Sequence, residues 1–576
     1  MKKFLVICLA TCLLGTINLA YADNSKLSPD LQAYTGSHAQ VVVQYNQPPS
    51  GLDLLNLGNL LGAVLNSLPL VNGLVADLPL ANILALSNQS NVKYISLDRP
   101  LTPSLSNAAP AVNAFAAWQS GYTGAGVGVA LIDSGVADHP DLHGGFLGFS
   151  RVVYNQSFVS GTNSARDQYG HGTHIAGLIA GDGASSKGSK YFRTFEGIAP
   201  GANLINLRVL DQNGAGTDSA VIAAISKAIS LKGWYNIRVI NLSLGRGIYE
   251  SYKLDPLCQA VEQAWKNGIV VVVAAGNDGR YQPTNGYATV NSAGNDPYVI
   301  TVGAMKPMGT PTRNDDLIAS YSSKGPSVFD HIVKPDVVAP GNLLVSLEAP
   351  GSTLYTEYPS NQVPYSYYVN GGSSASSSTY YTLSGTSMAA GVVSGVVADL
   401  LQKSPQLNPD QVKARLMKTA WKALPSQSSV VDPTTGITYT DQYDIFTIGA
   451  GYVDVEAALN STDVANATAM SPTANFDPST GNVYLSSDPS AVWNESALWG
   501  SSAVWGSSQF VTSNSALWGS SALWGSSALW GSSTATGFST VWDNSALWGS
   551  SALWGSSALW GSSALWGSSV PAGERN

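Results

Sequence analysis

The sequence predicts an α/β protein built on a mainly parallel β-sheet with helices on both faces. Between residues 107 and 465, short and almost wholly apolar runs recur, and helix-like stretches separate them. The clearest examples are strand-like runs at 127–132, 203–207, 239–242 and 269–274 and helix-like stretches at 219–231 and 257–267. A strand that is apolar throughout is buried on both faces, as in parallel sheets covered by helices. Such sheets place functional sites in the loops after the carboxyl ends of their strands.

Length and composition limit the class of protein. The chain has 576 residues, enough for about two to four domains and at least one large core. Hydrophobic residues make up 44% of the chain, which excludes a wholly disordered protein, and only 11% are charged. The net charge of −9 argues against nucleic acid or an anionic membrane as the main partner.

The segment 1–22 has the layout of a secretory signal peptide. Lys2 and Lys3 precede an apolar stretch at 4–14, and alanines near position 22 provide the small residues that flank a cleavable bond. The apolar run is too short to span a bilayer, and no later segment offers about 18 uninterrupted apolar residues. The sequence therefore predicts a secreted protein without a transmembrane helix.

Residues 23–106 predict a small α+β domain that precedes the large region. Strand-like runs occur at 41–43 and 93–97. A leucine-rich stretch at 52–65 has the spacing of an amphipathic helix that packs on a small sheet. Three prolines between residues 100 and 110 then predict a linker to the next domain.

The C-terminal part of the chain is repetitive. Residues 466–490 predict a polar linker, and residues 491–569 repeat the unit Ser-Ala-Leu-Trp-Gly-Ser. Eleven of the 15 tryptophans lie in this tail, most of them six residues apart. Because six is an even number, a β-strand would present these tryptophans on one face, and six-residue units can also stack as a solenoid. Such a row of aromatic rings could bind polysaccharide or a cell-surface partner. The alternative is a low-complexity linker or export tail.

Three short motifs in the large region carry side chains that can do chemistry. Asp133 follows an apolar strand, His171 lies in a glycine-flanked segment that opens a helix, and Ser387 opens another helix. Taken singly, these residues have ordinary explanations as a turn residue, a loop histidine and a helix N-cap. Each motif by itself is therefore weak support for a site.

Together the three residues match the needs of nucleophilic catalysis. A serine nucleophile needs a base that takes its proton, and the base needs a carboxylate that holds it in the correct tautomer. Asp133, His171 and Ser387 supply these groups, each where a strand ends or a helix begins. Asn277 follows the most apolar strand and adds an amide donor that can stabilise the oxyanion of a tetrahedral intermediate.

These motifs resemble those of the subtilisin-like serine peptidases, the subtilases. The resemblance spans about residues 115–458 and implies a subtilisin-like catalytic domain at 107–465. It implies that Asp133, His171 and Ser387 form the catalytic triad, in a chain order that separates this family from other serine hydrolases, and that Asn277 lies in the oxyanion hole. The substrate-binding segments that it implies contain Gly214, Ala215, Gly216, Ser243, Leu244, Gly245, Ala274, Ala275 and Gly276.

The same resemblance implies that residues 23–106 are a propeptide. Such a segment assists folding of the catalytic domain, inhibits it through its own C-terminal strand, and is removed by the enzyme itself, here within residues 101–113. The expected partners are protein or peptide substrates and the chain's own propeptide as an intramolecular inhibitor.

Two places in the sequence contain residues that could bind a metal ion. Zinc at His171 and His174 is disfavoured, because a catalytic zinc ion needs three well-placed ligands and the His-Glu-x-x-His pattern is absent. We predict that His174 is a packed or hydrogen-bonded core residue. Calcium sites are common in subtilases and Asp141 aligns with one ligand, but the segment 181–190 lacks a convincing set of partner carboxylates. The sequence therefore predicts no cofactor for catalysis and leaves a structural calcium ion at Asp141 open.

The chain departs from the family pattern in two places. Gly391 follows Ala390 where the family usually continues the serine motif with Pro-His-Val, a change that removes no catalytic group. An insert at 352–381 is rich in tyrosine, serine and glycine. We expect an irregular surface loop there, and the alternative is a lid that shapes substrate preference.

The sequence thus predicts a secreted serine endopeptidase. It would hydrolyse peptide bonds through an acyl-enzyme intermediate and mature by removing its own propeptide. The alternative is a cell-surface or polysaccharide-binding protein that acts through the tail at 491–569. Because no triad residue is missing, a binding tail would not exclude the peptidase.

Overall fold

The structure is a computed structural model that describes residues 23–32, 34–60, 63–68, 72–97, 108–144, 148–432, 435–477 and 482–486. The chain divides into two units at residue 102. The predicted signal peptide at 1–22 and the repeat tail at 491–569 lie outside the described residues, as does part of the predicted junction at 101–113.

The first unit is a small α+β fold, as the sequence predicts. Its antiparallel sheet has the strand order β2-β3-β1-β4. The strands are β1 His38–Tyr45, β2 Ala63–Leu68, β3 Gly73–Pro79 and β4 Val92–Leu97, and the helices are α1 Pro29–Gln32, α2 Gly51–Asn59 and α3 Leu80–Ser87. Alternate residues of β1 are buried, which gives the sheet one apolar face.

The leucine-rich stretch at 52–65 is not one helix, so this prediction is wrong. Helix α2 ends at Asn59, and the chain re-enters the sheet as β2 from Ala63. Within α2 only Leu57 among the leucines is buried, whereas Leu52 is 67% exposed. The leucine spacing fits a helix over the whole stretch, but the residues from Ala63 onward pair with β3 as strand β2 instead. Helical periodicity in the sequence does not reveal such a competing strand pairing.

The second unit is built on a mainly parallel sheet. The strand order is β13-β12-β11-β10-β5-β9-β8, with β14 beside β12, and only β13 runs antiparallel to its neighbour. The strands of this unit are β5 Gly128–Asp133, β6 His143–Gly144, β7 Phe149–Ser150, β8 Val152–Ser157, β9 Asn203–Arg208, β10 Ile237–Leu242, β11 Val270–Ala274, β12 Ile300–Lys306, β13 Leu317–Ile318, β14 Val337–Pro340, β15 Leu344–Leu347, β16 Gln362–Pro364, β17 Ser376–Leu383, β18 Gln427–Val431, β19 Thr438–Gln442, β20 Thr473–Asp477 and β21 Asn482–Ser486.

Helices cover both faces of this sheet. They are α4 Ala108–Ala111, α5 Ala114–Gln119, α6 His171–Ala180, α7 Asp218–Tyr235, α8 Pro256–Lys266, α9 Thr353–Glu357, α10 Thr386–Lys403, α11 Pro409–Thr419 and α12 Val455–Asn460. The helices α6 and α10 pack together, as do α7 and α8; α6, α7 and α10 contact strand β5, and α8 contacts β11. The prediction of a mainly parallel sheet with helices on both faces is confirmed. No helix among the described residues is long and apolar enough to cross a bilayer.

The parallel register brings three strand ends to one edge of the sheet. Strand β5 is completely buried and ends at Asp133, and it pairs with β9 on one side and β10 on the other. Strands β10 and β11 are also in parallel register and end at Leu242 and Ala274. The loops that follow them therefore emerge side by side, as expected for a site in a parallel α/β protein.

The insert at 352–381 is not an irregular loop. It contains helix α9 and strands β16 and β17, and β17 pairs with both β15 and β16 in a three-stranded antiparallel sheet. Its tyrosines give it a core, since Tyr380 and Tyr381 are buried and the rings of Tyr191 and Tyr368 stack 5.9 Å apart. The prediction of an irregular loop was wrong because the strand that pairs with β17, β15, and the ring that stacks on Tyr368, that of Tyr191, both lie outside the insert in the sequence.

Part of the predicted linker belongs to the second unit. Ala469 and Ala474 are buried, and Ser471 accepts a hydrogen bond from the buried Lys413 side chain. Strand β20 pairs with β21 in a short hairpin. A polar stretch in the sequence thus supplies hydrogen-bond partners for a buried lysine instead of acting only as a spacer.

Candidate active site

Asp133 and His171 form a hydrogen-bonded pair at the edge of the main sheet. Asp133 is the last residue of β5 and His171 is the first residue of α6. Nδ1 of His171 lies 2.8 Å from Oδ1 of Asp133, and the two side chains are 12% and 0% exposed. Gly172 permits this approach, because a Cβ atom there would lie 2.2 Å from the carbonyl oxygen of Gly135. The pair leaves Nε2 of the imidazole available for chemistry.

The surroundings of His171 favour its protonated form. Burial lowers the pKa of His171, but the charge and hydrogen bond of Asp133 and the charge of Asp167 outweigh it and raise the pKa above its ordinary value. A carboxylate that accepts from Nδ1 also fixes the tautomer in which Nε2 accepts a proton. The arrangement can therefore take up a proton at Nε2 and stabilise the resulting imidazolium ion.

Ser387 is the second residue of α10 and lies beside the loop after β10. Its Oγ donates to the carbonyl oxygen of Ser243 at 3.1 Å, and Oγ of Ser243 donates back to the carbonyl oxygen of Ser387 at 2.9 Å. Among the described residues, no hydrogen bond joins Ser387 to His171. The two helices that carry them pack side by side, and catalytic hydrogen bonds in sites without substrate often tighten only when substrate binds.

Asn277 is held with its amide nitrogen free to donate. Its Oδ1 accepts from the backbone N–H of Thr386 at 2.9 Å and from the Thr386 hydroxyl at 3.1 Å. Since the atom that faces a backbone N–H must be the oxygen, the other end of the amide is Nδ2. A Cβ atom on Gly385 would lie 3.4 Å from Nδ2, so this donor lies beside the start of α10.

The predicted substrate-binding segments flank these groups. Gly214, Ala215 and Gly216 follow β9, and Ser243, Leu244 and Gly245 follow β10. An ion pair between Asp218 and Arg246 joins the ends of the two segments, with Nε of Arg246 3.0 and 2.9 Å from the two carboxylate oxygens and Nη2 2.8 Å from Oδ2. Sequence reasoning missed this pair, because the two residues lie 28 positions apart and neither stands in a motif.

The segment that leads to Asn277 is tightly enclosed. Ala274 ends β11, the N–H of Ala275 donates to Val302, and Gly276 has a φ of +112°. A Cβ atom on Gly276 would lie 2.3 Å from Nδ2 of Asn291, so only glycine fits there. The close fit fixes the position of the Asn277 amide relative to the end of the sheet.

His174 is a core residue, as predicted. It is completely buried, and its Nε2 lies 3.1 Å from the carbonyl oxygens of both Leu344 and Tyr381. Burial and the neighbouring His171 lower the pKa of His174 to about 3, so the ring remains neutral. The burial and hydrogen bonds of His174 therefore give this second histidine of the motif a structural role in the core.

The residues around Asp141 do not fit a calcium ion. One carboxylate oxygen accepts from the N–H of Ser185 and the other from the hydroxyl of Tyr380, each at 2.7 Å. The guanidinium of Arg151 donates to the carbonyl oxygens of Asp141 and Ala180. Calcium needs about six to eight oxygen ligands, and here hydrogen-bond donors and a positive side chain occupy the oxygens that could serve. Asp141 is therefore better explained as part of a hydrogen-bond network.

Comparison with known proteins agrees with this geometry. The sequence profile of the subtilase family, Peptidase_S8, matches residues 124–462. The chain is 39% identical to serine protease AprX of Bacillus subtilis (strain 168) over 342 residues, which cover 58% of this chain and 70% of the relative. It is 34% identical to subtilisin DY of Bacillus licheniformis over 353 residues, 61% of this chain and 96% of the relative. It is 32% identical to subtilisin E of Bacillus subtilis (strain 168) over 405 residues, 69% of this chain and 89% of the relative. The chain therefore belongs to the subtilase family and is a serine-type endopeptidase.

Proposed function

We propose that the protein is an exported endopeptidase in which Ser387 is the nucleophile, His171 the general base and Asp133 the group that orients His171. The observation that carries this proposal is the 2.8 Å contact between Nδ1 of His171 and Oδ1 of Asp133, beside the helix α10 that carries Ser387 in its first turn. Nucleophile, base and orienting carboxylate are the three parts that acyl transfer by serine needs.

Catalysis begins when an extended peptide lies between the segments 214–216 and 243–245. Oγ of Ser387 leaves the carbonyl oxygen of Ser243, gives its proton to Nε2 of His171 and attacks the carbonyl carbon of the scissile bond. Asp133 stabilises the imidazolium ion. Nδ2 of Asn277 and the backbone N–H of Ser387 donate to the oxyanion, where fixed donors have a large effect on rate.

Collapse of the tetrahedral intermediate breaks the C–N bond. His171 returns its proton to the leaving amine, and the acyl group remains on Ser387. Water then enters, gives a proton to Nε2 of His171 and attacks the carbonyl carbon of the ester. The second tetrahedral intermediate collapses with cleavage of the C–Oγ bond, His171 returns the proton to Oγ of Ser387, and the carboxylic acid leaves. No step needs a metal ion or cofactor.

The first unit is proposed to be the propeptide that the enzyme removes. Its small antiparallel sheet with helices α2 and α3 is an independent fold with its own apolar core, and it precedes the predicted cleavage segment at 101–113. Export is proposed from the signal-like segment at 1–22. Binding through the tail at 491–569 stays a prediction, because this tail lies outside the described residues.

The proposal is tested by the intact mass and N-terminal sequence of the exported protein, in wild type and in Ser387→Ala. We expect the wild-type chain to begin within residues 101–113 and the variant to begin near Asp23. Ser230→Ala, which removes an exposed hydroxyl that donates to the carbonyl oxygen of Lys227 within α7, serves as the control and should process normally. If a folded Ser387→Ala chain is shortened like the wild type, Ser387 is not the nucleophile of maturation.

A further inference from the structure

Asp167 is the centre of a buried hydrogen-bond network immediately before His171. Asp167 is 4% exposed, and its carboxylate accepts five hydrogen bonds. Oδ1 accepts from Oγ of Ser134 at 2.9 Å and from the N–H groups of Tyr169 and Gly170 at 3.0 and 2.7 Å. Oδ2 accepts from the N–H and hydroxyl of Thr173 at 2.9 and 2.6 Å. Every partner is a donor, which is the environment of an ionised carboxylate.

Ser134 extends this network to the other half of the site. Its Oγ accepts from the N–H of Gly172 at 2.9 Å while it donates to Asp167, and its own N–H donates to Oδ1 of Asp133 at 2.7 Å. One chain of hydrogen bonds therefore joins the end of β5, which carries Asp133, to the first turn of α6, which carries His171. Backbone donors at the start of a helix otherwise lack partners, so the network also satisfies the beginning of α6.

We propose that Asp167 is a positioning residue for His171. It fixes the loop 167–170 and the first turn of α6 relative to Asp133, and its negative charge stabilises the imidazolium ion that forms when Ser387 loses its proton. The proposal rests on the proposed function, since it assumes that His171 is the base. Asp167 touches neither substrate nor reacting atoms, and it acts through the position and charge of His171.

The electrostatic part of this role has a definite sign. The titratable groups that face His171 are Asp133, Asp167 and His174, and the buried Arg208 lies near Asp167. Burial raises the pKa of Asp167 above its ordinary value, and the hydrogen bonds from Thr173, Gly170 and Ser134 offset only part of that rise. Because the charge of Asp167 contributes to the raised pKa of His171, its removal should lower that pKa.

The first test is Asp167→Asn, which keeps the shape of the side chain and removes its charge. We expect kcat to fall about 10- to 100-fold because the base is displaced from its productive geometry, while KM changes less than about twofold. The acidic limb of the pH profile of kcat/KM should move to lower pH by about half a unit. An unchanged limb together with an unchanged kcat would overturn the proposal.

Ser134→Ala separates position from charge. It breaks the link between Asp167 and the N–H of Gly172 but leaves the carboxylate in place. We expect a lower kcat with an acidic limb at the wild-type pH, and this variant decides the matter if Asp167→Asn does not fold. An unchanged kcat in folded Ser134→Ala would contradict the positioning role.

Asp444→Asn is the matched control. Asp444 is also a buried carboxylate that accepts from loop N–H groups, those of Phe446 and Thr447, and it lies outside the proposed active site. This variant should lose stability but keep the wild-type kcat and pH profile. If it lost activity and shifted the acidic limb as Asp167→Asn does, the effects at Asp167 would be general consequences of removing a buried charge and the proposal would fail.

Labelling of wild-type protein by a fluorophosphonate probe distinguishes the two proposals. If the wild-type chain is not labelled at Ser387, the proposed function fails. If it is labelled and the variants behave like wild type, only the role of Asp167 fails.

Discussion

At the scale of single residues, the proposed roles of Asp133 and His171 predict the pH range in which the protease works. The imidazole must be neutral to accept the proton of Ser387, so activity is lost as pH falls through the pKa of His171. Because Asp133 and Asp167 raise that pKa against the effect of burial, the acidic limb should lie above the ordinary histidine value of about 6.5. A pH profile of kcat/KM that is flat from pH 5 to 8 would contradict the assignment of His171 as base.

Asp133→Asn should abolish most of the activity without unfolding the chain. An asparagine amide that donates toward Nδ1 would place the ring proton on Nε2, which is the wrong tautomer for a base. The expected fall in kcat is about 10⁴-fold, the loss known for this change in another serine peptidase. Steady-state kinetics on a peptide substrate measure it, and thermal unfolding confirms that the variant is folded. A fall in kcat of less than tenfold would show that Asp133 does not orient the base.

At the scale of elements, the three-stranded insert sheet contributes to the architecture of the site. Helix α9 lies against the loop before His171, where the N–H groups of Thr353 and Leu354 donate to the carbonyl oxygens of Gln168 and Tyr169 at 3.0 and 2.9 Å. Strand β17 carries Tyr380, whose hydroxyl reaches Asp141. The insert thus contacts both the loop that leads into α6 and the segment that carries Asp141.

Strand β17 of this sheet provides a hydrogen-bond donor to Asp141, the Tyr380 hydroxyl, in the place where a calcium ion was considered. Tyr380→Phe would leave a buried oxygen of Asp141 without its donor, and the free energy of unfolding should fall by about 1.5 to 3 kcal/mol. A chelator should leave the melting temperature of the wild-type chain unchanged, because the oxygens around Asp141 already have partners. A melting temperature that fell on addition of chelator and recovered with Ca²⁺ would instead show a structural calcium site. Both unfolding experiments are best done in Ser387→Ala, which cannot digest itself if Ser387 is the nucleophile.

At the scale of the whole molecule, the second unit extends beyond the residues that match the subtilase family. The buried Lys413 and Lys334 contact opposite oxygens of the buried Asp336, at 3.1 and 2.8 Å. Ser471 completes this cluster by donating to Asp336 at 2.5 Å and accepting from Lys413 at 2.8 Å. Ser471, which follows residue 465, therefore adds hydrogen bonds to two buried charged groups that also contact each other.

A chain that ends at residue 465 should accordingly be less stable than one that ends at residue 490. Loss of Ser471 removes hydrogen bonds to two buried charges, and loss of Ala469 and Ala474 exposes the core around them. We expect the free energy of unfolding to fall by at least about 2 kcal/mol. Thermal unfolding of the two chains in the Ser387→Ala background measures the difference. Equal melting temperatures would show that residues 466–490 are only a linker.

Patterns that depend on near neighbours could be predicted well from the sequence. The apolar strands at 127–132 and 269–274 correspond closely to β5 and β11, because a strand buried on both faces must be apolar at every position. The side chains proposed for catalysis were also visible, since each stands at a strand end or helix start. The stretch at 52–65 failed because strand pairing, a non-local interaction, competed with helix periodicity.

The sequence by itself determined the chemical groups of this protease, the class of its main sheet and its membership of a family. Only the tertiary structure decided how distant residues serve one another. Tyr380 reaches Asp141 across 239 positions of the chain, Ser243 holds Ser387 across 144, and Ser134 links Asp167 to the start of α6. The physical reason is that hydrogen bonds and charges are satisfied by proximity in space, which no local pattern of residues specifies. The hydrogen-bond partners of Asp141, Asp167 and Ser471 are therefore evident only from the folded chain.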